Sequence, residues 1–243
     1  MKTALVCVAK NEANYIDEWI AYHLKIGFDD IHIIQNNWRH ENKTQSASYH
    51  IIDGYGKQVD SYRWFLNEFR KRYDWIAFFD VDEFLVLKKH IRVSDFLSDY
   101  SDYAAVSINW MLFGDNNLTF DGVNYSVLKR FIMRAERPDK LVKTIVNTVF
   151  DSEIELHNIS IGSVDPSLRQ VIGSDNLQAS VDIAQLNHYF CKTRQEFEEK
   201  RFRGRADVPR HNNEYIRLPS DFDDHNYNQV EDTLARDFLY KDN

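Results

Sequence analysis

Cysteine, proline and glycine are all scarce in this sequence of 243 residues, which contains 2 Cys, 4 Pro and 8 Gly. Cys7 and Cys191 are too few for a disulfide framework, and they lack the spacing of a zinc finger. No apolar run is long enough to cross a bilayer, and the run 4–9 is too short for the hydrophobic part of a signal peptide. We therefore expect a protein of the reducing cytoplasm, with at most peripheral contact with the inner face of a membrane.

An excess of positive charge is also lacking, because 38 Asp and Glu outnumber 30 Lys and Arg and give a formal net charge of −8. That balance argues against a protein that coats nucleic acid. Apolar residues make up 43% of the chain and aromatic residues 14%. At this length they can fill one sizeable core, and the chain is too short for two full catalytic domains.

The first half of the sequence alternates between strand-like and helix-like segments, which predicts an α/β fold with crossover helices beside a sheet. Asn11 is predicted to cap the first helix and Gly27 to end it. The almost wholly apolar segment 75–79 is typical of a central strand covered on both faces. Other strands are predicted at 3–8, 31–34, 49–52, 104–110, 127–133, 141–150 and 154–161, and other helices at 59–73, from a capping box at Thr193 and Glu196, and at 227–240.

The acidic run Asp80, Val81, Asp82 and Glu83 directly follows the predicted central strand. Since side chains alternate along a strand, Asp80 and Asp82 are predicted to share one face and to present oxygens to a single Mg²⁺ or Mn²⁺. Such an ion offsets the charge that builds up on a leaving diphosphate. An isolated pair of this kind is more often a solvated turn, but the apolar run 84–87 makes uncompensated acids costly at this place.

Several short motifs together resemble a known family, the bacterial family-2-like and family-92 glycosyltransferases. The resemblance covers most of residues 4–205 and does not extend past about Asp207. Two positions depart from the family pattern, because Gln35 stands where an acid is common and Trp38 replaces a small residue. The matching residues are 8–12 with Tyr15, Ile16, Glu18, Trp19, Ile20, Tyr22, His23 and Gly27; Asn36 and Asn37; Gln58; 75–84; Asn109, Trp110, Phe113 and Gly114; 143–145; and Asn187, His188, Tyr189, Lys192, Phe197, Lys200, Arg203 and Gly204.

The resemblance implies a GT-A (Rossmann-like) fold with a mixed central sheet and flanking helices. The catalytic domain is expected to span 1–205, with a helical tail over 206–243 packed on or beside it. The implied cofactors are Mn²⁺ or Mg²⁺ and a nucleotide-sugar donor, expected to be UDP-linked. The implied donor-binding residues are Ala9, Lys10, Asn11, Glu12, Asn36, Asn37, Gln58, Asp80, Val81 and Lys143, and the implied metal ligands are Asp80, Asp82 and His188.

The acceptor side of the site is less clearly marked in the sequence. Asp115 is our candidate for the base that deprotonates the acceptor hydroxyl, although it also fits a plain turn beside Gly114. Trp110 is predicted to stack on a sugar ring, and His157 either lines the acceptor site or packs in the core. Glu153 and Glu155 are rival bases. The basic residues Lys192, Arg201, Arg203 and Arg205 are candidates to neutralise the diphosphate or to bind an anionic acceptor, although for the arginines we expect a solvated surface.

The sequence thus predicts a metal-dependent transferase that moves a hexose from a UDP-sugar to a glycan or glycolipid hydroxyl, with inversion, in bacterial surface polysaccharide or lipopolysaccharide synthesis. A metal-dependent nucleotidyltransferase or phosphohydrolase is the first alternative, although the sequence has no glycine-rich phosphate loop. A non-catalytic sugar-binding module is the second. The first alternative would also place paired aspartates after a strand, whereas the sugar-binding module would not require the two aspartates and His188 together.

Overall fold

The computed structural model describes residues 1–41, 44–208 and 216–241 of the protein. Its strands are β1 (Thr3–Ala9), β2 (Asp30–Gln35), β3 (Ser48–Ile51), β4 (Trp75–Phe78), β5 (Glu83–Leu87), β6 (Ala105–Leu112), β7 (Met133–Arg134), β8 (Val142–Asn147), β9 (Ser163–Val164), β10 (Gln170–Val171), β11 (Ala184–His188) and β12 (Val230–Glu231). Its α-helices are α1 (Ile16–Ile26), α2 (Gln58–Phe69), α3 (Val93–Ser98), α4 (Val127–Arg130), α5 (Arg194–Arg203), α6 (Ser220–His225) and α7 (Leu234–Tyr240), and a 3₁₀ turn covers Arg70–Arg72.

A mixed sheet of ten strands forms the centre of the molecule. Eight of them follow the order β10-β9-β6-β8-β4-β1-β2-β3, and β11 joins β6 to β5. Strands β1 to β4 are parallel where they pair, whereas β8 is antiparallel to both β4 and β6. The predicted α/β class with a mixed central sheet and flanking helices is confirmed.

Strand β1 divides two hydrophobic cores, one on each face of the sheet. Every residue of β1 is buried, and its side chains alternate between the two cores, as pleating requires. Leu5 and Cys7 face the core that contains Trp19 of α1, while Val6 faces the core that contains Phe65 of α2. A strand that is covered on both faces, as β1 is, is therefore apolar along most of its length.

The carboxyl ends of β1, β4, β6 and β11 lie at the same edge of the sheet, because β4 and β6 both run antiparallel to β8 and β11 runs parallel to β6. The antiparallel strand β8 brings its amino end to this edge. Residues from distant parts of the sequence are thus collected at one place, which is where open α/β sheets bind ligands.

Helix α5 begins as predicted, with a capping box. The Thr193 hydroxyl accepts a hydrogen bond from the Glu196 amide, and the Glu196 carboxylate accepts one from the Thr193 amide. Gly27 ends α1 in the left-handed conformation, also as predicted. No helix of the described residues is both long enough and apolar enough to span a bilayer.

Some predicted elements are wrong. Asn11 does not cap a helix, because α1 begins only at Ile16 and Asn11 has a left-handed φ of 54° in the preceding loop. Residues 127–133 form α4 and β7 rather than one strand, since Glu18 of α1 and the Ser126 hydroxyl accept hydrogen bonds from the first free amides of α4. The segment 154–161 makes only an isolated bridge, and the last helix begins at Leu234 after strand β12.

Candidate active site

A cleft of about 400 Å³ opens at the carboxyl edge of the sheet. Its floor comes from the loop after β1, the turn between β4 and β5, and strands β6, β8 and β11. Helix α5 and the segment that leads to α6 form its wall. The lining residues include Lys10, Glu12, Gln58, Asp80, Val81, Asp82, Trp110, Lys143, His157, His188, Phe190, Lys200, Arg203, Arg205, Asp207, Arg217, Asp221 and His225.

Asp80 and Asp82 lie in the turn that joins β4 to β5, so the prediction that they share one face of a strand is wrong. Strand β4 ends at Phe78, and the Glu83 amide donates to the Asp80 carbonyl at 3.0 Å to close the turn. Both aspartates nevertheless line the cleft. Their carboxylates are held by different partners within it.

Asp80 is held by a buried lysine. Lys143 Nζ lies 2.9 Å from Asp80 Oδ2, and the Gln58 side-chain amide donates to Asp80 Oδ1 at 2.7 Å. Burial would by itself lower the pKa of Lys143, which is 1% exposed, but Asp80 and Glu83 raise the pKa well above its usual value. Burial raises the pKa of Glu83, and Asp80 and Asp82 add to the rise, which favours a neutral Glu83. Lys143 thus pairs with Asp80 at the floor of the cleft and also lies 3.9 Å from Glu83.

Asp82 lies between a second buried lysine and His188. Lys200 Nζ is 2.6 Å from Asp82 Oδ2, and His188 Nε2 is 3.7 Å from Asp82 Oδ1. Burial disfavours the carboxylate, yet the charge of Lys200 holds its pKa well below the usual value. Burial also lowers the pKa of His188, so the imidazole is neutral, and its buried Nδ1 has no hydrogen-bond partner among the described residues.

Two arginines of the cleft wall are paired with acids. Arg203 donates to Glu12 and, at 3.1 Å, to the Asn11 carbonyl, and so ties the end of α5 to the loop after β1. Arg205 pairs with Asp207. These arginines were expected to be solvated surface. Arg203 at the end of α5 is mostly buried and lines the cleft, so the expectation is wrong for it, whereas Arg205 lines the cleft but keeps an exposed side chain.

Trp110, His157 and His188 form an aromatic patch on the floor. The Trp110 ring centroid lies 4.2 Å from that of His188 and 5.4 Å from that of His157. His157 Nδ1 lies 3.0 Å from the Val142 carbonyl oxygen. A carbonyl can only accept, so Nδ1 carries the hydrogen and Nε2 keeps its lone pair in the neutral ring. Burial and Lys143 lower the pKa of His157 and favour that neutral form.

Several predicted site residues lie outside the lining. The Asn36 side-chain amide donates to the carbonyls of Ile52 and Gly54 at 2.8 and 2.9 Å, and Asn37 also donates to Gly54. Ala9 is fully buried in the sheet, and the Asn11 side chain is exposed. Asp115 Oδ1 accepts hydrogen bonds from the amide of Asn117 and the side chain of Asn228, both at 2.9 Å, which is the bonding of a turn residue. Glu153 lines a separate depression beside α2.

Lys200, Asp207, Arg217, Asp221 and His225 line the cleft but were not predicted as site residues. The sequence does contain a signal for Lys200. This residue follows the buried Phe197 by three positions and therefore lies on the buried side of α5. A lysine on that side needs an acidic partner. The other four lie beyond the motifs of the resemblance, and only the fold brings them to the cleft.

The model of glycosyltransferase family 92 matches residues 65–238 of the chain, which is well over half of it. The chain belongs to glycosyltransferase family 92. The resemblance found in the sequence is therefore confirmed. The family 92 match includes Asp80, Asp82, Lys143 and His188, and it begins after the loop that carries Glu12.

A glycosyltransferase family 92 protein of Ricinus communis is 26% identical over 220 residues, an alignment that covers 79% of this chain and 36% of that protein. The chain thus spans about a third of the length of this family 92 relative. Two solved structures align at low similarity. They are a glucose-1-phosphate thymidylyltransferase from Bacillus anthracis with sucrose (TM-score 0.37, 10% identity, 61% of this chain and 72% of that chain), and a 2-C-methyl-D-erythritol 4-phosphate cytidylyltransferase from Thermus thermophilus (TM-score 0.35, 13% identity, the same coverage). Similarity at this level carries no information on activity.

Proposed function

We propose that the chain transfers a sugar from a nucleoside diphosphate sugar to an acceptor hydroxyl in the cleft at the carboxyl edge of the sheet. Membership of family 92 supports this activity. The observation that carries the proposal is the pair formed by Asp82 and His188, which lies in a cleft lined by several cationic side chains. Such a combination suits a diphosphate bound together with a divalent cation.

Asp82 and His188 fit a shared cation. Their facing atoms are 3.7 Å apart, one being a charged carboxylate oxygen and the other belonging to a neutral imidazole. In the part of the chain that the structure describes, no group of three or more His, Cys, Asp or Glu is placed to hold a metal. Mg²⁺ and Mn²⁺ are often held by few protein ligands, with substrate phosphates completing the shell. When bound, the cation would stabilise the negative charge of the leaving diphosphate.

Lys143 and Lys200 have separate tasks in this proposal. Lys143 fixes the position of Asp80 by an ion pair, and we assign the Asp80 carboxylate to the donor ribose. Burial lowers the pKa of Lys200 to about 8 although Asp82 opposes the change, so Lys200 still carries its charge at neutral pH. A fixed ammonium beside the diphosphate favours the charge that develops there, since it needs no reorganisation during the reaction.

His157 is the proton acceptor that the geometry supports best. Its Nε2 has a lone pair, and the residue lines the cleft beside Trp110, whereas Asp115 is engaged in a turn outside the lining. The acceptor oxygen bonds to the anomeric carbon while the bond from that carbon to the diphosphate oxygen breaks. The electron pair of the broken bond stays with the diphosphate, and the hydroxyl proton passes to His157 Nε2. One displacement of this kind inverts the anomeric centre.

The finer parts of the sequence hypothesis remain predictions. They are a uracil base, a hexose donor, a glycan or glycolipid acceptor, a role in bacterial surface polysaccharide synthesis and a cytoplasmic location. Trp110 is proposed as the platform for an acceptor sugar, because its ring lies on the floor next to His157.

Thermal unfolding with and without Mn²⁺ tests the proposal on the wild-type chain. UDP, GDP, CDP and dTDP serve as probes, and we expect UDP to raise the Tm by about 5 °C or more at 100-fold excess over its Kd, only when Mn²⁺ is present. Asp82→Asn should abolish that shift, and the exposed Asp95→Asn should retain it. The proposal is refuted if no nucleoside diphosphate stabilises the wild type.

Two other outcomes would favour the alternatives. Stabilisation by nucleoside triphosphates in preference to diphosphates would favour a nucleotidyltransferase. Stabilisation by free sugars alone, unchanged in Asp82→Asn, would favour a sugar-binding module.

A further inference from the structure

Arg217 brings one more cation to the cleft, from the segment that precedes α6. The residue lines the cleft together with Lys200, Arg203 and Arg205. Its backbone carbonyl accepts a hydrogen bond from Arg201 Nε at 2.6 Å, and its guanidinium lies 5.7 Å from the centre of the Phe190 ring. The main chain of Arg217 is thus fixed to α5, and its side chain rests over an aromatic residue of the cleft.

Charge compensation distinguishes Arg217 from other cations of the cleft. Four of them have an acid at ion-pair distance: Lys143 pairs with Asp80, Lys200 with Asp82, Arg203 with Glu12 and Arg205 with Asp207. Within residues 1–41, 44–208 and 216–241, no carboxylate lies at ion-pair distance from Arg217. Among the described residues the partly buried guanidinium of Arg217 therefore lacks a counter-ion, and such an arrangement is costly but common at functional sites.

The electrostatic surroundings of Arg217 indicate the kind of ligand that would relieve this cost. Burial lowers the pKa of Arg217, and repulsion from Arg205 and Arg203 lowers it further, while Asp82 and Asp207 act in the opposite direction. The guanidinium is therefore close enough to the turn between β4 and β5 for the charge of Asp82 to act on it. An anion placed between this turn and α5 would be attracted by all three arginines.

We infer that Arg217 binds a phosphate group of the donor's diphosphate in the cleft that it lines together with Asp82. This inference rests on the proposed function. A planar guanidinium can donate two parallel hydrogen bonds to phosphate oxygens, which a lysine cannot do. Arg217 would thereby hold the diphosphate as it leaves. The segment before α6, which lies outside the motifs of the resemblance, becomes part of the donor site.

Calorimetric titration of UDP and of inorganic pyrophosphate, both with Mn²⁺, tests this role. For Arg217→Gln we expect the Kd of each ligand to rise about 10- to 100-fold, the range for loss of a charge-assisted hydrogen bond. Arg217→Lys should weaken binding less, because lysine keeps the positive charge but cannot donate two parallel hydrogen bonds. Arg194→Gln is the matched control, since Arg194 is exposed and pairs with Asp223, and it should leave both Kd values within about twofold.

The pyrophosphate measurement separates phosphate binding from base recognition. If Arg217→Gln weakens UDP but leaves pyrophosphate unchanged, the residue does not contact the diphosphate and the inference is wrong. It is equally wrong if Arg217→Gln and Arg217→Lys both bind the two ligands as the wild type does. In either case the proposed function stands, whereas a wild type that binds neither pyrophosphate nor any of the four nucleoside diphosphates refutes both.

Discussion

Glu196 is the residue whose replacement we expect to reveal most about how the cleft wall is held. Its carboxylate, with the side chain 1% exposed, receives hydrogen bonds from Arg130 at 2.9 and 2.7 Å, from the Tyr15 hydroxyl at 2.8 Å and from Thr193. It thereby fastens the start of α5 to α4 and to the loop before α1. The other end of α5 carries Lys200 and Arg203, which line the cleft.

The contribution of the Glu196 carboxylate to the free energy of unfolding follows from its pKa. Burial would raise the pKa of Glu196, but hydrogen bonds from Arg130 and Thr193 outweigh burial and lower the pKa from 4.5 to about 2. At about 1.4 kcal/mol per pKa unit, the charged form contributes about 3 kcal/mol to the free energy of unfolding. Because the pKa is lower in the folded state, this contribution is complete above pH 4.5 and is lost as the pH falls towards 2.

Replacement of Glu196 by Gln keeps the shape of the side chain and removes the charge. It also leaves the guanidinium of Arg130, which is 9% exposed, without its counter-ion. We expect Glu196→Gln to lower the free energy of unfolding by about 3 kcal/mol at pH 7 and by about 2 kcal/mol at pH 3.5. Loss of α5 anchoring should also weaken binding of UDP with Mn²⁺.

Urea unfolding of the wild type, Glu196→Gln and Glu199→Gln at the two pH values measures the difference. Glu199 is the control because it lies on the exposed side of the same helix, and its replacement should change the free energy by no more than about 0.5 kcal/mol. Equal stability of the two variants at pH 7 would refute the reasoning. A deficit of Glu196→Gln that does not shrink at pH 3.5 would show that the charge is not its cause.

Two further predictions concern the acceptor side of the cleft and the packing of the C-terminal segment. The transfer rate of the wild type, measured as UDP release, should be unchanged at pH 6.5 and fall only at lower pH, because burial lowers the pKa of His157 and its protonation removes the lone pair on Nε2. His157→Gln should be slow at every pH and lack this fall. A variant that keeps the wild-type pH profile would exclude His157 as the base. Gly114→Ala should destabilise the fold by about 1–3 kcal/mol, because a Cβ would lie 2.5 Å from the Tyr227 carbonyl oxygen and 2.4 Å from Asn228 Oδ1; an unchanged Tm would contradict this.

Local patterns in the sequence were sufficient to predict several parts of the site. The apolar run that forms β4, the acids that follow it and the capping box of α5 are each specified by neighbours within a few positions. Where a distant residue decides the local structure, sequence patterns failed. Residues 127–130 became helical because Glu18, 109 positions away from Val127, accepts a hydrogen bond from the start of α4.

By itself the sequence determined the α/β class, the membership of family 92 and the position of Asp80 and Asp82 after a buried strand, since these depend on periodicity and on motifs in order. Only the tertiary structure decided which cation lies beside which acid. Lys143 and Asp80 are separated by 63 positions, Lys200 and Asp82 by 118, and Arg203 and Glu12 by 191. Charges at such separations meet only after the sheet and α5 have packed together, and the same packing brings Arg217 to the cleft and leaves Asp115 outside it.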